Sequence, residues 1–349
     1  MIRVFDIHVR VYAVFFPPEK RMEVFGYYTT SGLGITSRKA EDALKNIELL
    51  REVTNVDSPA PTLPVSPAHL VLKERIVGLL ERAPGGPPRQ KKVSTADIYF
   101  YPSGMGAIYS IHQLLLTYHQ ASTVLFGFAF HNTIHVFEDW PNSGFKFLGL
   151  GTSEDIDTLS VYLESETKEG RKVGAVFAEF PSNPNIITPD LIKLRKLADK
   201  YRFVLVVDDT IASFCNVDLL GVADILITSL SKSFNGYADL LAGSAIINPF
   251  SPFYDELKSL LDKFYINEFY NGDAEDLEKN SRDYLQRSTI LNQNAARATE
   301  YLQSLALDPK SSISKVFYVP YSKEVTNYTP FMRPKYAHHP IISKHQNRK

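Results

Sequence analysis

The sequence predicts an open α/β sheet with helices on both faces, and three observations lead there. Short apolar runs at 203–207, 225–227 and 245–247 each abut turn residues or carboxylates, and continuous runs of this length read as strands buried on both faces. A run at 173–177 and an amphipathic stretch over 190–201, with Leu191, Leu194, Leu197 and Ala198 inward, lead into the first of them, which makes a βαβ unit. Asp208-Asp209 and Lys232 lie just past the carboxyl ends of two of these strands. That edge is where open α/β sheets bind ligands.

Composition bounds the rest. The 349 residues are 44% hydrophobic and 22% charged, enough for a large core and for two domains. Lys and Arg number 38 against 39 Asp and Glu. Such balance gives no bulk field for nucleic acid or an anionic membrane surface. The single cysteine, Cys215, excludes an internal disulfide and fits a reducing, cytoplasmic setting. No apolar run reaches 18 residues, so no membrane partner is expected. Basic residues interrupt the apolar stretch at 1–16, unlike a signal peptide.

In chain order, 11–16 reads as a strand or extended arm stopped by Pro17-Pro18. The spacing of Leu44, Ile47 and Leu50 predicts a helix over 41–53. Four prolines in 57–67 mark a linker, and 68–80 reads as a helix broken by the APGGPP run at 83–88. A strand at 98–101, a tight turn at 102–106 and a helix at 107–118 follow, then a strand at 123–127. The 190–201 helix is expected to be capped by Thr188 with Pro189 first. After 249 the pattern becomes helical, over 252–264 and 277–307, with Asn271-Gly272 between. Expected boundaries are an N-terminal arm at 1–60, a large domain at 61–255, and an incomplete C-terminal domain with a polar tail at 256–349.

The chemistry gathers at the strand ends. Lys232 is flanked by Ser229 and Ser231 and followed by Asn235-Gly236. A lysine amine near a strand-end carboxylate is the pair that pyridoxal phosphate (PLP) chemistry requires: the amine holds the cofactor covalently and the carboxylate keeps its ring nitrogen protonated. The turn Pro102-Ser103-Gly104-Met105-Gly106 opens a helix, so its free N–H groups and the positive helix end make an anion site. Each feature alone is ordinary; together they specify a cofactor. His131 and His135 lie near one another without a third ligand, and no metal is expected.

VVDDT, followed by SLSKSFNGYADLLAG at this separation, resembles the Cys/Met-metabolism family of PLP enzymes, which includes cystathionine γ-synthase, the cystathionine lyases and methionine γ-lyase. Family members show a similar DNT segment and a similar S-x-T-K segment followed by N-G and D-x-x-A-G. The resemblance implies that Lys232 carries the cofactor and moves protons, and that Asp208 is the catalytic partner of the ring nitrogen. It assigns Ser103, Gly104, Met105, Ser229 and Ser231 to the phosphate, and Thr210 to the cofactor site. Through the segment at 179–184, which matches E-x-P-x-N-P, Asn183 bonds the phenolic oxygen. Phe130 stands where relatives carry a ring-stacking tyrosine, so it offers a face but no hydroxyl.

The likeness is good over 101–249 and weaker outside. The family's Y-x-R, through which a neighbouring subunit grips the phosphate, has no clean counterpart; Tyr28 and Arg38 are the residues available. The segments VYAVFFPPEK and SGLGITSR are most like fungal cystathionine γ-synthase-like proteins. The implied fold is the PLP-dependent transferase fold type I, aspartate aminotransferase-like. It has a three-layer α/β/α large domain and a partial C-terminal α/β domain, whose strands fall at 315–319 and 327–333. The implied partners are an O-acylhomoserine, cysteine and further copies of the chain, as homodimer or homotetramer. The implied reaction is γ-replacement giving cystathionine, with β- or γ-elimination and a non-catalytic, PLP-binding paralogue as the alternatives.

Overall fold

The computed structural model describes residues 1–55, 61–82, 91–140 and 144–333. Three short strands, β1 (Ile2–Asp6), β2 (Arg10–Val14) and β3 (Arg51–Glu52), form an antiparallel sheet in the order β2-β1-β3. The main sheet has seven strands: β4 (Ile98–Tyr101), β5 (Ser122–Phe126), β6 (Phe145–Leu148), β7 (Val173–Glu179), β8 (Val204–Asp208), β9 (Ile225–Ser229) and β10 (Gly243–Ile247). Their order is β4-β10-β9-β8-β7-β5-β6. Only β10 is antiparallel to its neighbours.

Alternation along each strand feeds two cores. Leu205, Val207 and Leu226 face one layer with Leu72, Ile76, Leu191, Leu194 and Leu277. Val204, Val206, Ile225 and Ile227 face the other, with Ala107, Ile111, Phe137 and Leu257. Helices therefore cover both faces, as continuous apolar strands require, and the fold is the expected three-layer α/β/α.

Several local expectations are corrected. The predicted helix over 41–53 is a helix at Ser37–Lys45, a 3-10 turn at Ile47–Leu49, and β3. Its periodic Leu44, Ile47 and Leu50 are all exposed, so no core face holds the helix together past Lys45. Helix Leu191–Tyr201 is capped by Asp190, whose side chain accepts from the Lys193 N–H at 2.9 Å; Thr188 instead donates to the Glu324 carbonyl. The C-terminal helices run Asn271–Asn280 and Tyr284–Ala306. The strands expected at 315–319 and 327–333 are not formed. Residues 315–318 have no regular structure, and 325–331 is a short helix and a 3-10 turn. Only Met332 makes a bridge, to Val217. Pro330 removes a ladder donor from the second segment, and Pro320 directly follows the first. The break at 83–88 and part of the expected linker lie outside the described residues.

Arg333 anchors this end of the described chain. Its buried guanidinium donates to the carbonyls of Leu80, Arg82, Phe214 and Val217, with Asp218 at 4.0 Å. Arg333→Met would remove the donor to these buried carbonyls. The expected loss is about 3 kcal/mol or more, read as a lower urea midpoint at unchanged slope.

Candidate active site

The carboxyl edge of the sheet opens into a cavity of about 800 Å³ lined by every candidate residue: Ser103, Gly104, Met105, Phe130, Asn183, Asp208, Thr210, Ser229, Ser231 and Lys232. They meet because β4, β5, β7, β8 and β9 all point their ends here, and because β10 starts here. The register pairs Gly243 with both Tyr101 and Ser229.

Asp208 and Asp209 part company at the end of β8. Asp208 lines the cavity, and its carboxylate accepts the Thr210 N–H at 2.8 Å. Asp209 is buried and accepts from the Thr228 hydroxyl at 2.5 Å. Thr210 ties the neighbouring strand as well, its hydroxyl accepting the Ser229 N–H at 2.8 Å. Burial raises both aspartates above the ordinary carboxylate range, Asp209 to about 7. A cation beside Asp208 would restore its charge.

The helix Gly104–His119 presents its N-terminus to the cavity. Ser103 caps it, accepting the Gly106 N–H at 2.9 Å and donating to the Gly32 carbonyl at 2.8 Å. The orphan N–H groups of Gly104 and Met105 open the first turn. A Cβ at Gly104 would lie 2.6 Å from Ser229 Cβ and 2.8 Å from its Oγ. Glycine is thus demanded by the close approach of β9 to this helix.

Lys232 rides on the excursion between β9 and β10. Ser231 cinches its two ends: the hydroxyl accepts the Ala242 N–H at 2.9 Å and donates to the Ala242 carbonyl, which also takes the Ser231 N–H. Arg287, from the Tyr284–Ala306 helix, donates to the carbonyls of Ser233, Phe234 and Asn235.

Sequence reasoning misplaced one part of the site and missed another. Residues 28–38, where Tyr28 and Arg38 are the residues available for the family's inter-subunit phosphate grip, supply a wall of this chain's own cavity that also includes Ile35. Arg38 is engaged within its own chain, donating to Asp276 at 2.6 Å, to the Asp239 carbonyl at 3.1 Å and to Asp273 at 3.3 Å. These contacts span more than 200 residues of sequence and leave no local signal. Glu179 is the second. It lines the cavity beside Asp208, its strand-register partner, and burial followed by the Asp208 charge pushes it up to about 8. The E-x-P-x-N-P match was the signal that could have found it.

Comparison with known proteins bears on the family and the fold. The profile of the Cys/Met metabolism PLP-dependent enzyme family matches residues 92–333. The chain is 36% identical to "Alanine racemase ungC" of Aspergillus violaceofuscus, over 88% of this chain and 54% of that one. It is 35% identical to the cystathionine gamma-synthase-like enzyme iboG2 of Amanita muscaria, over 89% and 58%. Against cystathionine gamma-synthase of Neurospora crassa it is 35% identical, over 80% and 47%. The chain thus spans about half the length of these curated relatives. Among solved structures, cystathionine gamma synthase from Xanthomonas oryzae superposes with a TM-score of 0.56 at 18% identity, over 77% of this chain and 63% of that one. The metB structure from Corynebacterium glutamicum gives 0.56 at 20%, over 76% and 63%; both likenesses are of fold. With the family profile matching more than half of the chain and the fold in agreement, this chain belongs to the Cys/Met metabolism PLP-dependent enzyme family.

Proposed function

We propose that the chain carries out γ-replacement on an O-acylhomoserine with cysteine, giving cystathionine. The observation that supports this reading is one cavity holding an amine, Lys232, a carboxylate, Asp208, and a helix N-terminus, at Gly104 and Met105. These residues fit PLP. The amine holds it, Asp208 takes its ring nitrogen, and Asn183 takes its phenolic oxygen. Phe130 offers a ring face. The first-turn N–H groups, with the Ser229 hydroxyl, serve the phosphate, and Thr210 fixes Asp208; the Ser231 hydroxyl, expected at the phosphate, instead spends its one proton on the Ala242 carbonyl. When bound, PLP supplies the electron sink that acidifies the substrate's α-hydrogen. Lys232 takes that proton and delivers protons at the neighbouring carbons, as a positioned general base and acid.

A second reading keeps the same lysine and stops at the α-carbon, as racemisation; the likeness to the Aspergillus racemase favours it. Elimination uses the same groups. Purified protein given PLP, cysteine and an O-acylhomoserine should form cystathionine. 2-Oxoacid and ammonia released without a thiol adduct would mean elimination, and loss of optical activity in L-alanine would mean racemisation. We also propose a homo-oligomer. The N-terminal segment exposes Tyr12, Phe15, Phe16, Met22, Phe25 and Leu44, an apolar surface of the kind that marks an interface. Sedimentation of the full chain tests it.

Gly104→Val should weaken PLP binding at least about tenfold, and about a hundredfold or more if both bonds go. The added branch meets Ser229 and displaces the first turn, removing one or two charge-assisted bonds of about 1.5–3 kcal/mol each. Equilibrium titration of the apoprotein with PLP reads this, and unchanged affinity would move the phosphate elsewhere.

A further inference from the structure

The carboxyl group of Glu179 joins two loops that come from different strands. One oxygen accepts the Phe130 N–H at 2.6 Å, and the other accepts the Asn183 N–H at 3.0 Å. Phe130 ends the loop after β5, at the N-cap of helix His131–Asp139; Asn183 lies in the loop after β7. Glu179 is itself the last residue of β7, paired in register with Asp208, and the Phe180 N–H donates to the Asp208 carbonyl at 2.8 Å. Only 7% of the residue is exposed. A single buried carboxylate thus touches the backbone of two candidate cofactor residues and neighbours a third. Both its oxygens accept, so an amide of the same shape cannot replace it: the amide puts an NH2 group against one of the two N–H donors.

We propose that Glu179 is a positioning residue for the cofactor, its carboxylate fixing the Phe130 and Asn183 loops as one unit beside Asp208. The proposal rests on the PLP reading of the cavity. It accounts for an acidic side chain kept next to Asp208 in a place where two carboxylates oppose each other's charge. The bond geometry, taken once by each oxygen, is what a clamp needs; a residue serving only as strand filler would leave the two loops independent.

A double-mutant cycle on PLP affinity tests this, read by absorbance titration of the full-length apoprotein. Glu179→Gln is expected to weaken PLP about tenfold or more. Combined with Phe130→Ala, or with Asn183→Ala, it should add little to the weaker of the two single variants, because each pair removes one shared device. Glu179→Asp, which keeps the charge but withdraws it, should show the same non-additivity with a smaller loss, and it serves where Glu179→Gln folds poorly. Full additivity in both cycles, or unchanged affinity in Glu179→Gln, would overturn the clamp. Wild-type protein that takes up no PLP would instead overturn the reading of the cavity.

Discussion

Lys232→Ala is expected to lose the visible absorbance of the wild-type protein loaded with PLP, and with it nearly all turnover. Two functions go together: the covalent hold on the cofactor, and the proton moved at the substrate's α-carbon. Loss of the proton-transfer role alone is worth roughly 10²–10⁴-fold. The rest of the cavity remains, since Asn183, Asp208 and the helix N-terminus do not depend on the amine. The variant should therefore still bind PLP, reversibly and without the band. Borohydride reduction of the wild-type complex followed by peptide mapping must place the label on Lys232; label on another lysine refutes the assignment.

The second large effect separates two adjacent carboxylates. Asp208→Asn should keep PLP bound yet lower turnover by about a hundredfold or more, or at least about 2.7 kcal/mol at the barrier, because an amide cannot hold the ring nitrogen protonated. Asp209→Asn should leave turnover within severalfold. Its side chain answers Thr228 inside the protein, not the cavity, so its cost belongs to folding. Denaturant midpoints and kcat, measured on the same preparations, give the ranking. The reverse order would mean that the ring lies against the other residue.

What was legible in the sequence was whatever the sheet buries. Runs at 203–207, 225–227 and 245–247 became β8, β9 and β10 because both faces of each strand are covered, which leaves an unbroken apolar word in the text. Edge strand β6 has Phe145 and Lys146 half-buried and Phe147 exposed, and it left no such word. The place of Asp208 and Lys232 at one cavity was legible for a related reason: each lies just past the end of an apolar run. The wall formed by Tyr28, Ile35 and Arg38 was legible only in part: Tyr28 and Arg38 stood out as candidates for a neighbouring subunit's phosphate, but their place in this cavity is set by partners such as Asp273 and Asp276, far away in the chain. Leu44, Ile47 and Leu50 misled in the opposite sense: their spacing is helical, but nothing within the described residues buries them.

The closure at Ser231 and Ala242 bears on how the Lys232 amine would move in the role proposed for it. Amides at Ser231, Asn235 and Gly236 all have backbone acceptors, and Arg287 binds the carbonyl side. In hydrogen–deuterium exchange this stretch should behave like the strands it joins, with protection close to that of β9, and not like a surface loop. A lysine mounted on so stiff a base does its travelling in its four-carbon stem. Its reach between carbons of a bound amino acid is then a matter of rotamer changes on the nanosecond scale, not of segment opening in microseconds.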